Sequence, residues 1–234
     1  MRAARSILFL TLFYAWGVLW VLLILPLLVC PRRWVVRSWR PWSLGIMVLL
    51  RVICGIRVEV RGRQFIPRGR ALIAPKHQSM FDVFAQFAWL PDSCFVTKRE
   101  LMWIPLFGWY ARKARMIEVD RAGHAAALRK MVAEAGERFA DERQLVIFPE
   151  GHRGEPGVAG DYKPGIAALY REIDVEVIPV ATNAGVHWPR RGLLSPGTIV
   201  FEYLEPIPPG LKRAEFMRIL QDRIEAASMA LLPL

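Results

Sequence analysis

The chain opens on an apolar run. Ile7 to Cys30 (ILFLTLFYAWGVLWVLLILPLLVC) carries no charged residue over about 24 positions, enough to cross a hydrocarbon core. About sixteen of these are Leu, Ile, Phe or Val, worth roughly −5 to −10 kcal/mol at a membrane centre as an upper bound. A cleaved signal peptide fits less well, because its apolar region is usually ~7–15 residues long and no A-x-A site follows here. A second apolar stretch, Trp42 to Ile56, is broken only by Arg51. With Trp34, Trp39 and Trp42 at its entrance it predicts an interfacial helix. Pro26 and Pro41 permit either a span followed by a surface helix or a two-helix hairpin dipping into one leaflet. Residues 1–56 therefore read as membrane-anchoring helices, and 57–234 as a separate domain.

From residue 57 the period changes. Val58 and Val60 alternate with charges, as on a strand. Short apolar runs predict further strands at Ala71–Ala74, Ser93–Thr97, Met116–Val119, Gln144–Phe148, Val175–Val180 and Thr198–Tyr203. Between them, helical spacing predicts helices over Phe81–Leu90, Leu101–Ala111 (despite Pro105), Gly123–Asp141, Pro164–Glu172 and Arg213–Leu231. Ala127, Leu128, Met131, Val132, Ala135 and Phe139 form one stripe of the third. Proline in the first turn supports the fourth. Strands alternating with helices imply an α/β domain with a mostly parallel or mixed sheet.

Charge narrows the partners. The 234 residues carry a formal net charge of +11, and 54% are hydrophobic. Such a surface seeks phosphate, and the apolar N-terminus points to lipid rather than nucleic acid, for which no motif is present. Arg32, Arg33, Arg37 and Arg40 follow the apolar run while only Arg2 and Arg5 precede it, so the positive-inside rule places the following chain in the cytoplasm, at the inner membrane. The three cysteines, Cys30, Cys54 and Cys94, have no paired or zinc-like spacing, and the four histidines form no ligand pair, so neither disulfide nor metal is expected.

Two segments carry chemistry. Lys76-His77-Gln78-Ser79-Met80-Phe81-Asp82 follows a buried strand that Pro75 ends. On a straight helix His77 and Asp82 would diverge by roughly 140°, so they meet only if His77 lies in the loop and Asp82 in the first helical turn. There, imidazole and carboxylate make a general base. The competing reading is a capping box, Ser79-x-x-Asp82, with no catalysis. Phe148-Pro149-Glu150-Gly151-His152-Arg153 closes another buried strand, where open α/β sheets bind ligands. Arg153 there suits a phosphate, although a solvated loop arginine is the plainer reading of that residue alone. Arg121 and Lys98 close two further predicted strands.

These segments together resemble the 1-acyl-sn-glycerol-3-phosphate acyltransferase (lysophosphatidic acid acyltransferase) family of glycerolipid acyltransferases. The family's Asn-His-x4-Asp block corresponds to Lys76-His77-x4-Asp82. Lys98-Arg99-Glu100-Leu101 and Ile104-Pro105-x-x-Gly108 resemble the stretch before its second block, Phe-Ile-Asp-Arg, which here is Glu118-Val119-Asp120-Arg121. Its Phe-Pro-Glu-Gly-Thr-Arg block is Phe148 to Arg153, Lys163-Pro164-Gly165 matches a downstream Lys-x-Gly, and Val177-Ile178-Pro179-Val180 matches the fourth block. The resemblance covers roughly residues 57 to 206. Four positions depart: Lys76 for Asn, Arg115 for Gly, Glu118 for an aromatic and His152 for Thr.

The resemblance implies acyl transfer from acyl-CoA or acyl carrier protein to the 2-hydroxyl of lysophosphatidic acid, giving phosphatidic acid for phospholipid synthesis, with no cofactor. It implies His77 and Asp82 as the catalytic pair. It implies Lys98, Arg121, Glu150, Gly151 and Arg153 at the acceptor and Pro179 at the acyl pocket. With no G-x-S-x-G and no cysteine in the blocks, direct transfer without an acyl-enzyme is expected. Alternatives are transfer to another lysolipid such as lyso-ornithine lipid, a lipid hydrolase or thioesterase using water, and a non-catalytic lipid-binding protein.

Overall fold

The computed structural model describes residues 1–120 and 124–233. Two helices lead: α1 (Arg2–Leu23) and, after a short 3-10 turn, α2 (Arg32–Leu49), which runs on through a π-type turn to Cys54. Strands and helices then alternate as β1 (Ile56–Arg61), β2 (Ala71–Pro75), α3 (Phe81–Trp89), β3 (Ser93–Lys98), α4 (Phe107–Lys113), β4 (Ile117–Val119), α5 (His124–Ala140), β5 (Gln144–Val146), α6 (Pro164–Glu172), β6 (Val177–Thr182), α7 (Ala184–His187), β7 (Gly197–Tyr203) and α8 (Arg213–Ala230).

The strands form one seven-stranded sheet ordered β1-β7-β6-β2-β5-β3-β4. All neighbours are parallel except β6 and β7. The central β2 and β6 are buried at every residue, as continuous apolar runs in a covered parallel sheet must be. Helices α5, α6 and α8 cover one face through Met131, Phe139, Leu169, Phe216, Leu220 and Ile224. The other face packs with α1 to α4 in one apolar cluster. The strand directions place the C-terminal ends of β2 to β6, and the starts of β1 and β7, on one edge of the sheet.

Helix α1 lies along that edge. Near its start, Arg2 bonds Ser195 Oγ at 2.7 Å and Ser6 Oγ accepts from Leu194 N at 3.0 Å. Phe9 and Phe13 meet the Trp188 ring edge-on at 5.1 and 5.5 Å. Near its end, Tyr110 O–H donates to Val21 O at 2.6 Å. A helix of roughly 33 Å is thus held at both ends by the same α/β unit. Its outward face, from Ile7 through Tyr14 and Val18 to Leu23, is exposed and apolar. It is the one helix among the described residues long and apolar enough to cross a membrane.

Several expected boundaries move. The second helix begins at Arg32, not Trp42, because Arg32 to Arg40 is itself helix-compatible and the helix continues through Pro41. The arginines of the orientation argument therefore lie within α2. The expected helix Leu101–Ala111 is a 3-10 turn at Arg99–Trp103 and then α4, split at Pro105 and at Leu106, whose φ is 64°. The β5 ladder stops at Val146, two residues early, because the chain turns toward the site; β6 starts at Val177, where pairing to β2 begins.

Candidate active site

Pro75 ends β2, yet Lys76 N still donates to Val180 O at 2.8 Å, so the chain leaves the sheet at His77. The backbone of His77 is then pinned on both sides by the loop after β5. Its N–H donates to Glu150 Oε2 at 2.9 Å, and its carbonyl accepts from Gly154 N at 2.8 Å. The ring stacks on Phe148 with centroids 4.2 Å apart and planes at 27°. Three backbone and ring constraints fix one imidazole orientation.

Asp82, in the first turn of α3, fixes the rest. Its Oδ2 lies 3.2 Å from His77 Nδ1 and accepts from Gln78 N at 2.6 Å and Ser79 N at 2.7 Å. Asp82 is fully buried, whereas the His77 side chain is 16% exposed. A carboxylate at Nδ1 selects the tautomer with the proton there and leaves Nε2 as the acceptor. Both sequence readings meet in one residue. Asp82 reaches back to the N–H of Ser79 as a capping carboxylate does, although Met80 occupies the cap, and the same oxygen orients the histidine.

Beneath His77 lies a buried charge cluster. Lys76 Nζ sits 2.7 Å from Glu150 Oε1 and bonds both oxygens of Glu225 at 2.7 and 2.8 Å and Val158 O at 3.0 Å. Tyr162 O–H donates to Glu225 Oε1 at 3.1 Å. Burial first, then the nearby Glu225 and Glu150, push its phenol far above the ordinary value, so it remains a donor. Glu150 is fully buried, with one oxygen on His77 N–H and the other facing Lys76. The carboxylate that the resemblance assigns to the acceptor here holds the loop, with both oxygens turned to protein groups. Gly160 permits it, since a Cβ there would come within 2.9 Å of Glu150 Oε1.

The other expected site residues divide by position. Gly151 sits in the turn after β5 with φ 70°, a backbone that glycine adopts without strain. Arg153 is half-buried and, among the described residues, makes no ion pair or hydrogen bond. Lys98 is exposed at the end of β3, on the same sheet edge. Arg121 lies outside the described residues. Pro179 is buried in the middle of β6 and alternates with Ile178 and Val180, which face α1 to α4; its ring therefore lies on the opposite face of the sheet. Arg115 explains one departure: it holds φ 55°, where glycine is easiest, and pairs with Asp141 at 2.8 Å and Glu137 at 3.1 Å. Among the described residues no group of three or more His, Cys, Asp or Glu is arranged to hold a metal.

Comparison with known proteins bears on this geometry. A model of the Acyltransferase family matches residues 57–183, which include the His77–Asp82 pair and the Glu150 loop. The chain belongs to this family. The 1-acyl-sn-glycerol-3-phosphate acyltransferase of Pseudomonas aeruginosa is 35% identical over 205 residues, covering 85% of this chain and 78% of that protein. The mouse 1-acyl-sn-glycerol-3-phosphate acyltransferase alpha is 30% identical over 167 residues, covering 69% of this chain and 59% of that one. In fold, the chain is similar to the crystal structure of the 1-acyl-sn-glycerophosphate (LPA) acyltransferase PlsC of Thermotoga maritima, with a TM-score of 0.80, 22% identity, and 99% and 98% of the two chains covered.

Sequence reasoning missed Glu225. It lies 149 residues from Lys76, and only the unusual lysine in the first block hinted that a buried anion must answer it.

Proposed function

We propose that this acyltransferase moves a fatty acyl group from acyl-CoA or acyl carrier protein to the 2-hydroxyl of 1-acyl-sn-glycerol-3-phosphate, forming phosphatidic acid. The observation that carries the reading is His77, with Nδ1 on a fully buried carboxylate and a side chain that remains 16% exposed. Nε2 takes the proton of the acceptor hydroxyl as its oxygen attacks the thioester carbonyl. The C–S bond then breaks, and the leaving thiolate takes that proton back. Asp82 stabilises the transient imidazolium. The substrate alcohol is itself the nucleophile: Ser79, two residues after His77, is buried and accepts from Phe81 N at 3.2 Å. Arg153 and Lys98, with Arg121 after β4, supply cations for the acceptor phosphate.

The N-terminal helices serve the same reaction. Helix α1 is tied at its start to the loop before β7 and at its end to α4, with its apolar face outward. That arrangement favours seating in one leaflet over an independent span, and it meets a lysolipid at the depth of its headgroup. We assign this seat to the cytoplasmic face of the inner membrane, where a water-soluble donor arrives from the other side.

The test is transfer of labelled acyl groups to lysophosphatidic acid and lyso-ornithine lipid by the purified, detergent-solubilised chain, beside His77→Ala. Phosphatidic acid formed by the parent and lost in a folded His77→Ala is expected. Activity retained in that variant would overturn the assignment of the base, and product from lyso-ornithine lipid alone would overturn the acceptor.

A further inference from the structure

The cluster beneath His77 has a charge balance of its own. One cation, Lys76, faces two carboxylates whose nearest oxygens are each 2.7 Å from its nitrogen. Lys76 is 1% exposed and Glu150 is fully buried, and the Glu225 side chain is 20% exposed. Two carboxylates around one nitrogen lie, at most, twice that distance from each other, so they repel strongly whenever the nitrogen is absent. Glu225 stands on α8, beyond the residues that the family model matches. The family that this chain resembles has asparagine in place of Lys76.

We propose that Lys76 and Glu225 are a positioning pair for His77. Lys76 neutralises Glu150, which keeps its second oxygen on the His77 N–H; Glu225 in turn satisfies the rest of the Lys76 ammonium. The link also ties α8 to the catalytic loop, since Lys76 Nζ holds Val158 O and Gln221 Nε2 donates to Gly160 O at 3.2 Å. Among the described residues neither side chain bonds His77 itself, so both act on it through Glu150. The inference rests on His77 as the base.

The charge logic predicts a suppressor. Lys76→Asn leaves Glu150 and Glu225 facing each other without a cation, and removing one member of a buried pair is far more damaging than removing both. Adding Glu225→Gln to Lys76→Asn removes one of the two facing carboxylates and returns the cluster to the parent's net formal charge of one negative. The experiment measures kcat, both KM values and the melting temperature of the full chain for Lys76→Asn, Glu225→Gln and the double variant, with acyl-CoA and lysophosphatidic acid. Lys76→Asn is expected to lower kcat by about tenfold or more while both KM values stay within about twofold. The double variant is expected to recover to within about threefold of the parent. If Lys76→Asn does not fold, recovery of the melting transition in the double variant carries the same meaning. A kcat within about twofold of the parent in Lys76→Asn, or a double variant no better than Lys76→Asn, overturns the pair. His77→Ala separates the two claims: if it is inactive while Lys76→Asn is normal, only the pairing falls.

Discussion

Asp82→Asn probes how the histidine is held. One oxygen, Oδ2, receives the Gln78 and Ser79 N–H groups and faces His77 Nδ1, while Oδ1 is buried with no hydrogen-bond partner among the described residues. In Asp82→Asn the amide oxygen should take the Oδ2 position, because an NH2 there would confront two N–H donors. The Nδ1–H tautomer is then retained and only the negative charge is lost. A hydrogen bond to a charged group is worth about 1.5–3 kcal/mol, so kcat should fall about 10- to 150-fold. A Ser-His-Asp triad loses about 10⁴ on the equivalent change, because there the tautomer inverts. Initial rates with saturating acyl-CoA and lysophosphatidic acid, beside a thermal melt, decide it. A loss of less than about threefold would reduce Asp82 to a helix cap. A loss near 10⁴ would show that the ring tautomer flips and would refute the single-oxygen argument.

Arg153→Ala should raise KM for lysophosphatidic acid by about tenfold or more while leaving KM for acyl-CoA nearly unchanged, since Arg153 is half-buried and makes no ion pair or hydrogen bond among the described residues; equal effects on both would mark a structural role. Asp92 makes a pH prediction. Burial pushes its carboxyl up, but Arg32 at 2.8 Å and Arg143 at 3.0 Å outweigh it and hold the pKa below the ordinary 3.8. Its contribution to stability is therefore present above about pH 4 and lost as pH falls through the depressed value, so Asp92→Asn should flatten the acid limb of a melting-temperature profile. Trp103 and Trp109 are 71% and 52% exposed beside Ile104 and Phe107, on the segment leaving β3 at the catalytic edge. Trp103→Ser with Trp109→Ser should weaken cosedimentation with anionic vesicles about tenfold at unchanged melting temperature; unchanged binding would confine lipid contact to the N-terminal helices.

The pairing of His77 with Asp82 was legible because Pro75 stops the strand and a five-residue gap admits one arrangement. The strand pattern was legible for the same local reason: buried parallel strands are short apolar runs, and helices carry the longer period. The burial of Glu150 was not legible, because a Pro-Glu-Gly loop carries no local sign of it, and only the tertiary approach of Lys76 and Gly160 encloses it. The start of α2 at Arg32 was not legible, because the apolar stretch that marked the helix begins only at Trp42. The break at Leu106 was invisible, since the apolar period continues straight across a residue that takes φ 64°. Lys76 to Glu225 spans most of the chain, and no local pattern encodes a contact of that separation.

Helix α1 contributes Phe9 and Phe13 to the apolar cluster that also contains Trp188, Phe81 and Tyr203. The anchor and the fold it anchors are consequently one cooperative unit. Trimming the N-terminus to obtain a water-soluble enzyme would uncover aromatic rings above the catalytic edge and should yield aggregates in place of a free domain. For the same reason, a detergent that competes for Phe9 and Phe13 should inactivate the enzyme without touching His77, and the choice of amphiphile becomes an experimental variable of the same rank as the substrate.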